Sequence, residues 1–300
     1  MSKSISIGYL FKVSAGNVNA SHTEGNVIVA KKVTMPDGNT LPYISGQAIR
    51  RALRDRIEEL GWGLSEPHAT ITNKQEVEPP AKPWEFIDED LFGYMAATGG
   101  KRRTSPVRVS FAVGCFPFRG DRDLGTRSFE KFGKAVSEGG NMFETEVYNN
   151  IFRGALLVEL DRVGLFTNLE TGQKEAKELP KDEKIRRIQA LLESLRLLWG
   201  GGRTARMVVD LSPKFLAYAR MKAKHPIFLE SLLVDEERNL DLDLLKESLE
   251  RMNKYIEEQF FGLEKGFFAN EDDIKKTFGD KVFSIGQAID KAKEDVGKAL

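Results

Sequence analysis

A group of basic and polar side chains lies close to the predicted start of a helix. The group consists of Ser45, Gln47, Arg50, Arg51 and Arg54. Ser45 is a favourable N-cap, and the free N–H groups and dipole at a helix N-terminus attract anions. Guanidinium groups bind phosphate oxygens in a bidentate manner. The segment therefore predicts a phosphate-binding corner, with ordinary i,i+4 pairing of Arg51 with Asp55 and of Arg54 with Glu58 as the open alternative.

Two further basic groups lie elsewhere in the chain. One follows a predicted helix and contains Gly201, Gly202, Arg203 and Arg206; the other contains Lys101, Arg102 and Arg103. Glycines let the backbone approach a phosphodiester closely, and the basic side chains supply charge. The alternative for the glycine run is a flexible helix stop.

Charge is segregated along a chain whose net charge is zero, with 45 basic and 45 acidic residues. Residues 1–57, 98–120 and 200–226 each carry a net charge of +5, while 58–97 and 227–300 each carry −7. A fold that brings the three basic blocks together makes one positive surface on a neutral protein. The alternative is that each block is a solvated face. We expect the acidic run Asp88 to Asp90 to be such a solvated face.

Other chemistries find little support. Cys115 is the single cysteine, which excludes an internal disulfide and favours a small buried hydrophobe. The three histidines are far apart, and no phosphate-loop or nucleophile-elbow motif is present. We therefore expect no metal and no cofactor. No apolar run approaches the roughly 20 residues of a membrane span, and no signal peptide is evident, so a cytoplasmic protein without a membrane partner is expected.

The predicted elements that position these groups alternate between strands and helices. They are a strand at 5–13, a helix from Ser45 to Gly61, strands at 107–113 and 155–163, a helix at 182–199 and a strand at 207–211. The order βαββαβ predicts an α+β fold with a ferredoxin-like or RRM-like sheet. We interpret 1–300 as a single domain with insertions at 62–105 and 114–152. Residues 213–300 are predicted to be mostly helical and to pack on the sheet.

Residues 45–54, SGQAIRRALR, resemble the first-helix signature of the CRISPR-associated RAMP superfamily. Asn17-Val18-Asn19 is similar to the Asn-x-Asn of the same proteins, and the glycine run occupies the place of their glycine-rich loop. Within the superfamily, the chain is most similar to the DevR-like Cas-seven family, the backbone subunit of type I Cascade, and specifically to subtype I-B. The similarity in element order covers about residues 1–212.

The resemblance implies a hand-shaped protein with an RRM-like palm, fingers at 62–105 and a thumb at 114–152. It implies binding of CRISPR guide RNA through sequence-independent phosphate contacts, assembly with other copies into a helical filament, and partnership with other Cascade subunits and with target DNA paired to the guide. Asn17, Asn19 and His22 join the basic groups as expected RNA contacts. Four thumb aromatics are candidates for wedging against bases: Phe116, Phe118, Phe143 and Phe152.

The chain departs from those relatives that cleave RNA with an acidic residue near the first strand. Residues 15–30 contain no aspartate, and only His22 and Glu24 could substitute. We therefore expect a non-catalytic protein. The alternative is a ribonuclease of the same superfamily, either metal-dependent or metal-independent.

Overall fold

The computed structural model describes residues 2–66, 68–69, 77–96, 100–127, 141–172, 177–200 and 207–300. The predicted contacts Gly201, Gly202, Arg203 and Arg206 lie outside the described residues. The first strands are β1 (Ser4–Gly16), β2 (Ala20–Glu24), β3 (Val27–Ala30), β4 (Lys32–Thr34) and β5 (Thr40–Ile44). They are followed by α1 (Gly46–Glu59), β6 (His68–Ala69), β7 (Val77–Glu78), α2 (Ile87–Phe92), β8 (Tyr94–Met95), β9 (Arg102–Arg103), β10 (Val107–Val109) and β11 (Ala112–Gly114).

The remaining elements complete the sheet and its covering helices. They are β12 (Asp121–Arg127), β13 (Asn141–Glu159), β14 (Leu165–Phe166), α3 (Asn168–Thr171), β15 (Lys177–Glu178), α4 (Lys181–Arg196), β16 (Phe215–Met221), α5 (Leu242–Met252), β17 (Ile256–Leu263), α6 (Glu271–Phe278), β18 (Val282–Ser284) and α7 (Ile285–Ala299).

The central sheet has the ferredoxin-like strand order. β16 pairs with β1, β1 pairs with β13, and β13 pairs with β10 and β11, all antiparallel. In the predicted βαββαβ unit these are the fourth, first, third and second strands. The register places Ile7 opposite Leu156 on one side and Tyr218 on the other. The predicted α+β fold class is confirmed.

The helical layer covers one face of this sheet. The apolar residues of α1 and α4 that face the sheet, such as Ile49, Leu53 and Leu191, are fully buried in one core with Ile7 and Phe11 of β1. The helix α7 adds Ile289 and Val296 to the same core. Burial of this apolar stripe is the main source of stability for the helices.

The second face of β1 is also covered, which the alternating sequence pattern did not predict. Every residue from Ser4 to Phe11 is buried. On this side Leu10 packs in a second core with Phe228 and Leu232 from the segment that follows β16. The approach is close at Gly8, where a Cβ would lie 2.4 Å from Cβ of Phe228.

Several predicted boundaries are corrected. The last strand of the βαββαβ unit is β16 rather than 207–211, which forms only an isolated bridge between Trp199 and Asp210 and leaves Val208 80% exposed. Residues 213–300, predicted to be mostly helical, contain the helices α5, α6 and α7 and also the strands β16, β17 and β18. The strand predicted at 107–113 is interrupted at Ser110 and Phe111. Among the described residues, no helix is long and apolar enough to cross a membrane.

Candidate nucleic-acid interface

The first turn of α1 is held in place from three sides. The Ser45 hydroxyl accepts a hydrogen bond from the Ala48 amide at 3.3 Å, which caps the helix. The Ser45 amide donates to Oδ1 of Asn19 at 2.9 Å and so ties the loop after β1 to the helix start. Gly46 lies against the end of β10, where a Cβ would be 2.6 Å from the Val109 carbonyl oxygen. These contacts fix the direction in which the basic side chains of α1 point.

Two of the three α1 arginines that were predicted to bind phosphate, Arg51 and Arg54, have an acidic neighbour. Arg51 is 75% exposed and pairs with Asp55 at 2.9 Å, the i,i+4 contact expected from the sequence. Arg54 lies 3.7 Å from Asp88, and its guanidinium group lies over the Phe92 ring at 4.7 Å. The Arg51–Asp55 pair lies on the surface, and exposed ion pairs contribute little to stability. The charge of Arg51 can therefore be shared with an anion at small cost.

Arg50 differs from its neighbours. Its Nε is buried without a hydrogen-bond partner in the described structure. Burial lowers the pKa of Arg50, and so does the nearby Arg108 guanidinium. No acidic side chain is among the groups that shift this pKa. Arg108 itself contacts Glu159 at 3.0 Å. The start of α1 therefore carries the positive charge of Arg50 with no acidic partner among the described residues.

A cavity of about 500 Å³ lies beside α1. Its lining consists of Val18, Asn19, Ala20, Ala48, Arg51, Ala52, Asp55, Arg56, Trp199 and Gly200. The loop after β1, the helix signature and the start of the glycine run thus meet at one place, although Asn19 and Gly200 are far apart in sequence. Of the basic groups predicted from the sequence, the one on α1 adjoins this cavity through Arg51, and Gly200, the first residue of the glycine run, lies at the same place.

The third basic group does not join this surface as predicted. Arg102 is exposed on β9, but Arg103 is completely buried and pairs with Asp90 at 2.6 Å and Glu170 at 3.0 Å. The prediction that Arg103 contacts RNA is therefore wrong, because its guanidinium group serves as a buried counter-ion. Lys101 lies against Gly172, at the end of α3.

The loop residues predicted as RNA contacts have different environments. Asn17 is only 3% exposed, and its Nδ2 donates to the Glu146 carbonyl at 3.0 Å, so the prediction of a surface contact is wrong for this residue. His22 is exposed on β2, where Nε2 lies 2.9 Å from Glu24. Gln47 is exposed on the first turn of α1.

The four thumb aromatics all have neighbours within the protein. Phe152 is fully buried and stacks on Phe11 with the ring centroids 5.5 Å apart, so the prediction that it wedges against bases is wrong. Phe118 lies beneath the Lys32 ammonium at 4.3 Å. Phe143 covers Gly125 across the β12–β13 pair, and the backbone of Phe116 is held by the Asn150 amide.

The cavity wall contains a contact between two residues, Arg56 and Trp199, that was not identified from the sequence. Arg56 and Trp199 are 143 positions apart, yet the Arg56 guanidinium lies 4.3 Å from the Trp199 ring centroid. No local spacing indicates such a pair. The acidic run was also misjudged, since Asp88, Glu89 and Asp90 are all buried.

Little in the described residues favours catalysis. No group of three or more His, Cys, Asp or Glu side chains there could hold a metal ion. Burial raises the pKa of Cys115 to about 11, which disfavours the nucleophilic thiolate.

A comparison with protein families places these features in context. The family model described as "CRISPR-associated negative auto-regulator DevR/Csa2" matches residues 5–236, which is most of the chain. The chain belongs to the DevR/Csa2 family. A search of curated proteins finds no match.

Solved structures show that the fold of this DevR/Csa2 member recurs in larger assemblies. A chain of a "CRISPR RNA-guided surveillance complex, pre-nicking" is 13% identical, with a TM-score of 0.61, over 98% of this chain and 100% of that one. A chain of a "CRISPR RNA-guided surveillance complex" is 16% identical, with a TM-score of 0.59, over 96% and 99%. At these identities, the likeness establishes a shared fold along almost the whole chain.

Proposed function

We propose that this DevR/Csa2 protein is a non-catalytic backbone subunit of a type I CRISPR interference complex that binds guide RNA. The observation that carries the proposal is the cavity at which Asn19, Arg51 and Gly200 meet. Family membership and the fold shared with chains of RNA-guided surveillance complexes support it.

The electrostatics of α1 suit a ribose-phosphate strand. Arg50 has an unsatisfied Nε, and Arg51 is exposed next to the cavity. Contacts of this kind bind phosphates without recognising bases, so base pairing by the guide supplies the sequence specificity. An RNA strand along this surface gains affinity from the release of its counterions.

The long strand β13 suits the assembly of copies along the guide. Its second half pairs with β1 in the central sheet, whereas residues 141–147 pair with β12 in a hairpin. Seven strand residues span about 23 Å at 3.3 Å per residue, and Glu144 and Thr145 within them also pair with β3. Leu124 and Met142 are 60% and 59% exposed on this hairpin. We propose that the hairpin contacts the guide on a neighbouring copy, and that other Cascade subunits and target DNA paired to the guide are further partners.

The test is the size of the full chain co-expressed with a CRISPR transcript. The proposal predicts a particle that contains RNA and several copies and that becomes smaller after nuclease treatment. A protein that purifies without RNA, at the same size before and after nuclease, would contradict the proposal.

The ribonuclease alternative has its own test. His22, with Glu24 as its partner, is the exposed group near the first strand that could exchange protons with RNA. We expect no cleavage of labelled RNA by the purified protein, with or without EDTA. Cleavage that His22→Ala abolishes, with Lys12→Ala on β1 as the control, would show that the protein is an enzyme.

A further inference from the structure

Trp199 lies three residues after the end of α4. The backbone around it is fixed, because the Gly200 amide donates to the Val209 carbonyl at 3.0 Å and the Leu211 amide donates to the Leu198 carbonyl at 3.0 Å. The residue nevertheless remains 38% exposed and lines the cavity beside α1. A large aromatic side chain is thus held in place while part of its ring is open to a ligand.

The Arg56 guanidinium group packs against this indole from within the protein. Its carbon lies 4.3 Å from the Trp199 ring centroid, a cation–π contact that fixes the orientation of the ring. Nη2 of Arg56 contacts Glu59 at 2.8 Å, and the Arg56 side chain is only 6% exposed.

The other donors of Arg56 are unsatisfied. Nε and Nη1 are buried and have no hydrogen-bond partner in the described structure. A buried donor without a partner is costly, and buried donors in proteins nearly always find one. Because these two atoms are closed off from solvent, Arg56 serves as the support behind the Trp199 ring and not as a donor to a molecule in the cavity.

The cavity has the size and the polar groups that one nucleotide requires. Its volume of about 500 Å³ falls within the range of about 300–1,000 Å³ found for small-molecule sites. Arg51 presents a guanidinium group, and Asn19 presents a side-chain amide, at the same wall as the indole. An aromatic platform with adjacent cations is the combination by which proteins bind single-stranded nucleic acid.

We propose that Trp199 is a stacking platform for one base of the bound RNA, with Arg56 holding the ring from behind and Arg51 available to the phosphate of the same strand. This inference rests on the proposed function, and it adds a base contact to a site otherwise described by phosphate contacts. Because every base has an aromatic face, the platform accepts any sequence.

Tryptophan fluorescence tests the stacking directly. The chain has three tryptophans, so the emission of Trp199 is obtained as the difference between the wild type and Trp199→Phe. The two ligands are a single-stranded 12-nucleotide RNA and an abasic ribose-phosphate strand of the same length. We expect the RNA to quench the Trp199 emission and the abasic strand to leave it unchanged. Absence of quenching by bound RNA, or equal quenching by both strands, would overturn the inference.

Affinity and its salt dependence provide the second test. Trp199→Ala should lower RNA affinity about 5- to 150-fold, the range for one stacked base, while the slope of log affinity against log salt stays unchanged. Trp199→Phe should bind within a few-fold of the wild type, since it keeps an aromatic ring. Arg51→Ala should instead reduce the steepness of the slope by about 0.7, the value for one phosphate contact with a single strand.

The results separate failure of this inference from failure of the proposed function. If Trp199→Ala binds as tightly as the wild type while Arg51→Ala binds less tightly, the platform is wrong and guide binding stands. If the wild type itself does not bind RNA, the proposed function is wrong. If Trp199→Ala changes self-association of the RNA-free protein and not RNA affinity, Trp199 contacts a second copy and the inference is overturned.

Discussion

Replacement of Asp90 by asparagine should strongly destabilise the protein. Asp90 lies on α2 and is fully buried, and its carboxylate contacts Arg103 at 2.6 Å and Arg187 at 2.9 Å. The Gly164 amide donates to it as well, at 3.1 Å. Both arginine side chains are almost completely buried, at 0% and 2% exposure. Asp90 therefore joins β9 and α4 to α2, and it compensates two buried positive charges together with Glu170, which contacts Arg103 at 3.0 Å, and Glu183, which contacts Arg187 at 3.1 Å.

The magnitude follows from this burial. Loss of one member of a buried ion pair costs about 3–5 kcal/mol because the remaining charge stays buried without compensation. Such a loss is a large part of the roughly 5–15 kcal/mol by which a typical domain is stable. For a chain of this size the midpoint of thermal unfolding should fall by on the order of 10 °C.

The assay is thermal and denaturant unfolding of Asp90→Asn followed by circular dichroism. Asp243→Asn is the matched control, since Asp243 makes an ion pair with Lys246 at 2.8 Å but is 93% exposed. We expect the control to unfold at the wild-type temperature. In addition, Asp90→Asn combined with Arg103→Met should lose less stability than the sum of the two single changes. An Asp90→Asn protein as stable as the control would refute the role assigned to this cluster.

Three further predictions concern close packing, a buried thiol and an ion cluster. Gly8→Ala should cost about 1–3 kcal/mol in chemical denaturation, because its Cβ would clash with Phe228; a wild-type midpoint would contradict this close packing. Cys115 should react with iodoacetamide at pH 8 about 100-fold more slowly than an exposed thiol, since burial raises its pKa to about 11; a normal rate would show that the thiol is accessible. Burial raises the pKa of Glu159, but hydrogen bonds from Lys224 and Arg108 outweigh this and lower it. The stability difference between the wild type and Glu159→Gln should therefore be full at pH 7 and shrink as the pH falls below the ordinary glutamate value of 4.5, and a difference that stays constant on acidification would exclude the ion cluster as its cause.

Local signals were enough to predict the first helix and its basic face. The Ser45 cap and the apolar stripe gave the helix start and its buried side, because both depend on residues within a few positions of one another. The order of the main strands and helices along the chain was predicted from local signals too, and the order βαββαβ implied the ferredoxin-like sheet. The strand β16 was assigned to the wrong segment because its buried run FLAYARM lacks the alternation of a half-exposed strand.

Long-range pairing explains the errors in the candidate site. Arg103 lies in an acid-free stretch of sequence, which suggested a free cation, but its partner Glu170 is 67 positions away. The acidic run ending at Asp90 suggested a solvated face, whereas Arg187 lies 97 positions further on. The pairing of Arg56 with Trp199 was hidden for the same reason. Charge patterns along a chain indicate an excess of charge, but only the fold decides which charges remain available to a ligand.

The salt dependence of RNA affinity for Arg50→Ala/Arg51→Ala/Arg54→Ala is the most direct test of the cationic surface on α1. The control replaces Arg251, Lys276 and Lys281, three exposed basic residues of the C-terminal region, by alanine. We expect the α1 variant to bind all RNA sequences more weakly to a similar degree, with a slope shallower by about 2, which corresponds to three phosphate contacts. The control should bind like the wild type. Equal affinities and equal slopes for the two triple variants would contradict the assignment of α1 as the guide-binding surface.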